Sequence, residues 1–362
     1  MTIDPRGRRA AEGFSRAVDD LAASDSHGGS FERFARYRRR KQRNQRIGAG
    51  VLATVVALAG IVLVTRAFPQ GERNVGRVPG GGGRILYGDW DAQAQHADWH
   101  TVSPGGSRPQ QVNLSATCAV WFPDASRILV TNDGAVGPGA PLRLATVEPD
   151  GTDLRPLDAV QNRHLNLGCG DVSPDGERIA LEGFGQEGHS DLDGIYTIRA
   201  SDGGDLVRLV RGPVSPPRYS PDGTQLSFFD TKEGVSPTGS GALFVMAADG
   251  SDSPVRITPW GSAFDDHEWS PDGTRIVFQR PYGQLYLVRP DGSSLHRIPV
   301  ELPPGTGALN PSWSPDGVWI VFSLQRSDAA EIWMVRSDGT GLREVTRIPG
   351  AQLQSPDWAA AG

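Results

Sequence analysis

The chain has 362 residues, 38% hydrophobic and 22% charged, with 46 Gly and 28 Pro. A Gly and Pro load of that size excludes a predominantly helical protein and suits many short strands joined by tight turns. The net charge of −6 hides two opposed parts: residues 1–46 carry 12 Lys/Arg against 6 Asp/Glu, and the rest 24 against 36. An acidic main body argues against nucleic acid as its partner.

In chain order, residues 10–22 (AAEGFSRAVDDLA) place Phe14, Val18 and Leu21 at helical spacing, which predicts a short amphipathic helix. A basic run follows, with Arg33, Arg36, Arg38, Arg39, Arg40, Lys41, Arg43 and Arg46 against Glu32 alone. Residues 47–64 (IGAGVLATVVALAGIVLV) then run for 18 positions without a charge. As a helix that run is about 27 Å long, close to the hydrocarbon thickness of a bilayer. The basic flank puts residues 1–46 in the cytoplasm and everything after the helix outside it. A cleaved signal peptide is the rival, because Thr65 and Ala67 are small, but the segment before the apolar run is far longer than a signal n-region. Residues 68–83 (FPQGERNVGRVPGGGG) read as a flexible linker.

The rest of the chain repeats itself. WFPDASRILV starts at Trp121, VSPDGERIAL at Val172, YSPDGTQLSF at Tyr219, WSPDGTRIVF at Trp269, WSPDGVWIVF at Trp313, and a terminal QSPDW at Gln354. Measured at the prolines, the spacings are 51, 47, 50, 44 and 41 residues. Between the copies lies a second phrase (ATVEPDG, IRASDGG, VMAADG, LVRPDG, MVRSDG), with a degenerate first copy, TVSPGG, ending at Gly106. Proline pre-sets the first central position of a type I turn and glycine closes it, so each phrase joins two strands into a hairpin. Two hairpins per unit make four strands, and four-stranded units at this period are propeller blades.

The SPDG phrase with its following I-x-F strand and D-G turn resembles the TolB-like, WD-repeat-like β-propellers, over roughly residues 84–362. The expected fold is therefore all-β, a six-bladed propeller of four-stranded antiparallel blades preceded by a single transmembrane helix. Residues 84–87 (RILY) lack the turn that should precede them, and the terminal QSPDW lacks the strand that should follow it. These two half-units are expected to share one blade, which makes six. The division is 1–46 cytoplasmic, 47–65 transmembrane, 66–83 linker and 84–362 propeller. TolB proper carries an α/β domain before its propeller, so a Tol–Pal role is not expected.

In propellers of this kind the strand entering the SPDG turn borders the central channel. Five residues before each proline stand Cys118, Cys169, Pro216, Asp266, Asn310 and Ala351; three before stand Val120, Asp171, Arg218, Glu268, Ser312 and Leu353. The fourth copy, Asp265-Asp266-His267-Glu268, is the most polar. Its residue types suit a metal, but alternate strand residues face opposite ways, so at most two can share a site; a hydrated acidic rim is the plainer reading. The candidate channel-mouth residues are Asp171, Arg218, Asp266, His267, Glu268 and Asn310. Cys118 and Cys169 occupy matched positions on neighbouring inner strands, which slightly favours a disulfide outside the cytoplasm over two buried packing thiols, with a reactive thiol as the third alternative.

No GxSxG, HExxH or P-loop occurs, so binding is expected rather than catalysis, with no cofactor and no catalytic or metal residues assigned. The expected function is a membrane-anchored module holding a protein or small ligand at the channel. Two alternatives remain: a transmembrane sensor of the anti-sigma type, with residues 1–46 docking a cytoplasmic protein, and a channel-mouth lyase or hydrolase.

Overall fold

The computed structural model describes residues 83–91, 96–132, 143–157, 164–185, 189–230, 241–261, 264–280, 283–325, 329–349 and 353–360. The cytoplasmic, membrane and linker assignments for residues 1–82 lie outside them. Among the described residues no helix is long and apolar enough to cross a membrane.

Six antiparallel sheets of four strands each are arranged as the blades of a propeller. The inner strands are Cys118–Trp121 in blade 2, Leu165–Val172 in blade 3, Arg218–Tyr219 in blade 4, Phe264–Trp269 in blade 5 and Ala308–Trp313 in blade 6. Blade 1 is composite. Its inner strand, Leu353–Ala359, comes from the end of the chain and pairs with Arg84–Asp91, followed outward by His96–Val102 and Gln110–Ala116. Consecutive inner strands touch one another all the way round, so the ring is closed. Closure ties residues far apart in sequence and removes two open sheet edges.

The second strand of each blade is buried on both faces because both face another blade. Ile276, Val277 and Phe278 are fully buried, as are Ile320, Val321 and Phe322, and the clusters they join mix side chains of adjacent blades.

The SPDG turns are built as their chemistry dictates. Ser173, Ser220, Ser270 and Ser314 donate from Oγ to Oδ1 of Asp175, Asp222, Asp272 and Asp316 at 2.5–2.6 Å. The same Ser Oγ atoms accept the backbone N–H five residues on, as in Arg275 N to Ser270 at 3.0 Å. The glycine stands at positive φ, +68° at Gly273, where it also lies against Pro221 of the preceding blade's turn.

The structure corrects the alignment of the terminal phrase. Trp358 is opposite Ile85, as Trp313 is opposite Ile320 and Trp269 opposite Ile276. Pro356 therefore matches Pro311 rather than Pro315, and the residues matched to Asn310 and Ser312 are Ser355 and Asp357, not Ala351 and Leu353. The chain fills the sixth position with Trp358-Ala359-Ala360 in place of Trp-Ser-Pro.

Candidate functional site at the channel

The inner strands of blades 3, 5 and 6 each carry a bulge, between Leu167 and Gly170, Phe264 and His267, and Leu309 and Ser312. A bulge re-aims neighbouring side chains, and here it sits beside the positions singled out above. Asn310 is at φ +52°, a conformation that asparagine tolerates better than most residues.

Around the channel, one position does a repeated job. Asp171 Oδ2 accepts the backbone N–H of Tyr219 on the next blade at 2.8 Å. Glu268 Oε2 accepts that of Trp313 at 3.0 Å, Ser312 Oγ that of Trp358 at 3.3 Å, and Asp357 Oδ2 that of Trp121 at 2.7 Å. Blade 4 has Arg218 here, a donor, which reaches the His267 carbonyl at 3.4 Å and the Gly170 carbonyl at 3.1 Å. Blade 2 has Val120, which can do neither. Its junction with blade 3 is made instead by the Cys118–Cys169 disulfide, with Cα atoms 5.8 Å apart, and by Thr131 Oγ1 donating to Gly168 O at 3.2 Å. Each of the six inner-strand junctions thus has its own polar or covalent tie.

These ties gather Asp171, Asp266, Glu268 and Asp357 around one guanidinium. Burial works against charge on Arg218, yet Asp171, Asp266, Glu268 and Asp357 outweigh it and raise its pKa further. The acids respond in the opposite sense. Burial raises Asp171 despite Arg218. Burial and the neighbouring Asp357 push Glu268 up to about 8, and burial pushes Asp357 up to about 6. At neutral pH Glu268 is predominantly the neutral acid, and Asp171, Asp266 and Asp357 stand with it around Arg218.

The remaining predicted residues divide. Asp266 joins the acids through Asn310, whose amide, oriented to suit its neighbours, donates to Asp266 Oδ2 at 2.6 Å and accepts from Ser355 N at 3.0 Å. Asn310 N also donates to Gln279 Oε1 at 2.8 Å. His267 turns away. It is 1% exposed, shares a 2.9 Å hydrogen bond with Ser227 Oγ and stands edge-on to Phe229 at 4.8 Å. Burial, with Arg218, lowers its pKa to about 3, so it is a neutral core residue. Among the described residues no group of three or more His, Cys, Asp or Glu side chains is placed to hold a metal. Sequence reasoning missed Asp357. Aligning Pro356-Asp357-Trp358 with Pro311-Ser312-Trp313 on tryptophan, rather than on SPD, would have found it.

The profile of the TolB beta propeller domain matches residues 125–362. The chain belongs to the TolB beta propeller domain family. An uncharacterized protein of Agrobacterium fabrum is 26% identical over 259 residues, 67% of this chain and 80% of that one. TolB from Acinetobacter baumannii superposes with a TM-score of 0.59 at 20% identity, over 76% of this chain and 66% of that one. The putative TolB from Agrobacterium tumefaciens gives 0.53 at 21% identity, over 75% and 92%. At these identities the structural likeness establishes the fold.

Proposed function

We propose that this TolB-type propeller is a binding module tethered to the cytoplasmic membrane, displayed on its outer side, which receives a segment of another protein at the channel mouth. The observation that carries the reading is the channel wall itself: Asp171, Asp266 and Asp357 against the single Arg218, on inner strands of four blades. Such a wall suits a partner segment bearing a Lys or Arg side chain and hydrogen-bond donors. Glu268, held neutral, adds a donor for a backbone carbonyl. The reading is of binding rather than catalysis, and it gives no role to His267, the histidine of the described inner strands, which is buried and hydrogen-bonded to Ser227.

Asp266 tests it best, because its carboxylate meets the Asn310 side-chain amide of blade 6, whereas the inner-strand N–H of Trp313 on that blade is held by Glu268. In-cell cross-linking should capture a protein with the native chain and lose it with Asp266→Lys, while Arg297→Ala on the outer rim leaves it captured. Capture unchanged by Asp266→Lys overturns the channel assignment.

The tether rests on residues 47–64 and their basic flank. Alkaline phosphatase fused after the last residue should be active and, fused after residue 46, inactive; the reverse pattern overturns the topology. The amphipathic pattern of residues 10–22 supports a second proposal, that the basic segment docks a cytoplasmic protein and the chain signals across the membrane. A pull-down with residues 1–46 as bait tests it.

A further inference from the structure

Blades 2 and 3 hold a carboxylate between two arginines on their outer hairpin. In blade 2, Asp153 receives Arg127 Nη1 at 3.0 Å and Arg155 Nη2 at 2.5 Å. In blade 3, Asp205 receives Arg199 Nη2 at 2.6 Å, with Arg178 Nη1 at 3.9 Å. Both aspartates sit at positive φ, +49° and +54°, just past the D-G turn.

Strand register locates the matching positions in blade 6. Trp319 faces Arg336 as Arg178 faces Arg199. Arg343 faces Met334 as Arg155 faces Thr146. Blade 6 therefore keeps two of the arginines, Arg336 and Arg343, and replaces the third by Trp319. The matching left-handed residue is Gly341, at φ +69°. A Cβ built there would lie 3.0 Å from Arg336 Nη1 and 3.1 Å from the Trp319 ring. Both guanidiniums lie over that indole, at 4.7 and 4.9 Å from its centroid.

Two cations are thus brought together, and among the described residues no carboxylate forms an ion pair with either, although Asp338 lies within electrostatic reach of Arg336. Asp338 is turned into its own loop by Thr340. Nε and Nη2 of Arg343 are buried without a hydrogen-bond partner. Burial, followed by the nearby Arg336, lowers the pKa of Arg343. Unpaired guanidinium donors out of water are costly unless an acceptor meets them, and Arg336 is exposed, so the place is open to an external group.

We propose that Arg336, Arg343 and Trp319 form a carboxylate-binding site on the outer hairpin of blade 6, which takes an acidic side chain of a partner protein where blades 2 and 3 use Asp153 and Asp205. Trp319 forms the floor and keeps the two guanidiniums apart from bulk water on one side; planar guanidinium and planar carboxylate then meet through paired N–H donors. The site is separate from the channel and stands whether or not the channel binds.

The test uses an acetylated, amidated hexa-aspartate peptide and the full chain in detergent, titrated calorimetrically at about 50 mM NaCl, with inorganic phosphate as a parallel ligand. Saturable peptide binding is expected, at least about tenfold weaker in Gly341→Asp, whose own carboxylate fills the place, and in the Arg336→Gln/Arg343→Gln pair. Gly341→Asp should fold, because aspartate already holds this conformation in two blades, and should melt no lower than the native chain. No saturable binding, native-like binding by either variant, or tighter binding of phosphate than of the peptide would each overturn the proposal.

Discussion

Replacing Glu268 by Gln separates the two roles of this side chain. The amide oxygen can still accept the Trp313 N–H that Glu268 Oε2 takes at 3.0 Å, so the tie between blades 5 and 6 survives. What the variant removes is the titration. In the folded protein, burial and Asp357 hold Glu268 near 8, against an ordinary value of 4.5. A raised carboxyl pKa means that the folded state binds more protons than the unfolded state between those two values. The associated stability is complete below about pH 4.5 and is lost as pH rises through about 8. Each pH unit within that window is worth about 1.4 kcal/mol, so going from pH 6 to pH 9 the native chain should lose roughly 2–3 kcal/mol relative to Glu268→Gln. Urea denaturation of both proteins at the two pH values reads this directly. At pH 6, already above the ordinary value of 4.5, the glutamine variant should be the more stable by roughly 2 kcal/mol, and at pH 9 the gap should be wider by roughly 2–3 kcal/mol more. Parallel loss in the two proteins would refute the argument that Glu268 is carried neutral in the channel wall.

Two further outcomes follow from the ring. Deleting residues 353–362 removes the inner strand of blade 1 and, with Asp357, the acceptor for Trp121 N; the truncated propeller should lose its cooperative thermal transition, and an unchanged melt would contradict closure. Thiol titration of the unfolded, unreduced protein should find no free cysteine, and Cys118→Ser/Cys169→Ser should destabilise the fold by about 2–4 kcal/mol. Two free thiols per chain would show that Val120 leaves the junction of blades 2 and 3 without a covalent tie.

The blade count was legible in the sequence because the turns are local. Ser270-Pro271-Asp272-Gly273 carries its hydroxyl, its fixed φ, its carboxylate and its left-handed residue within four positions, and the same four-residue chemistry recurs wherever the phrase does. The two unmatched half-units at the ends were enough to infer a shared blade. The channel was only partly legible. Asp171, Arg218, Asp266, Glu268 and Asn310 could be placed on inner strands by counting back from proline. The same counting chose Leu353 over Asp357, because in the closing strand the SPD triplet falls four residues early. It also could not see that His267 faces the core, since a bulge changes which way a strand residue points.

What the sequence by itself determined is the hairpin, the blade and the number of blades. Only the tertiary structure decided which groups share a field. Trp121 and Asp357 stand 236 residues apart and meet at 2.7 Å, and the pKa of Glu268 depends on that same Asp357. Turn formation is decided by neighbours along the chain, whereas burial and charge coupling act through space. The same holds for Gly341, which in sequence is one more loop glycine. It acquires meaning only when strand register sets it beside Asp153 and Asp205 and shows two arginines gathered round a residue with no side chain to pair them.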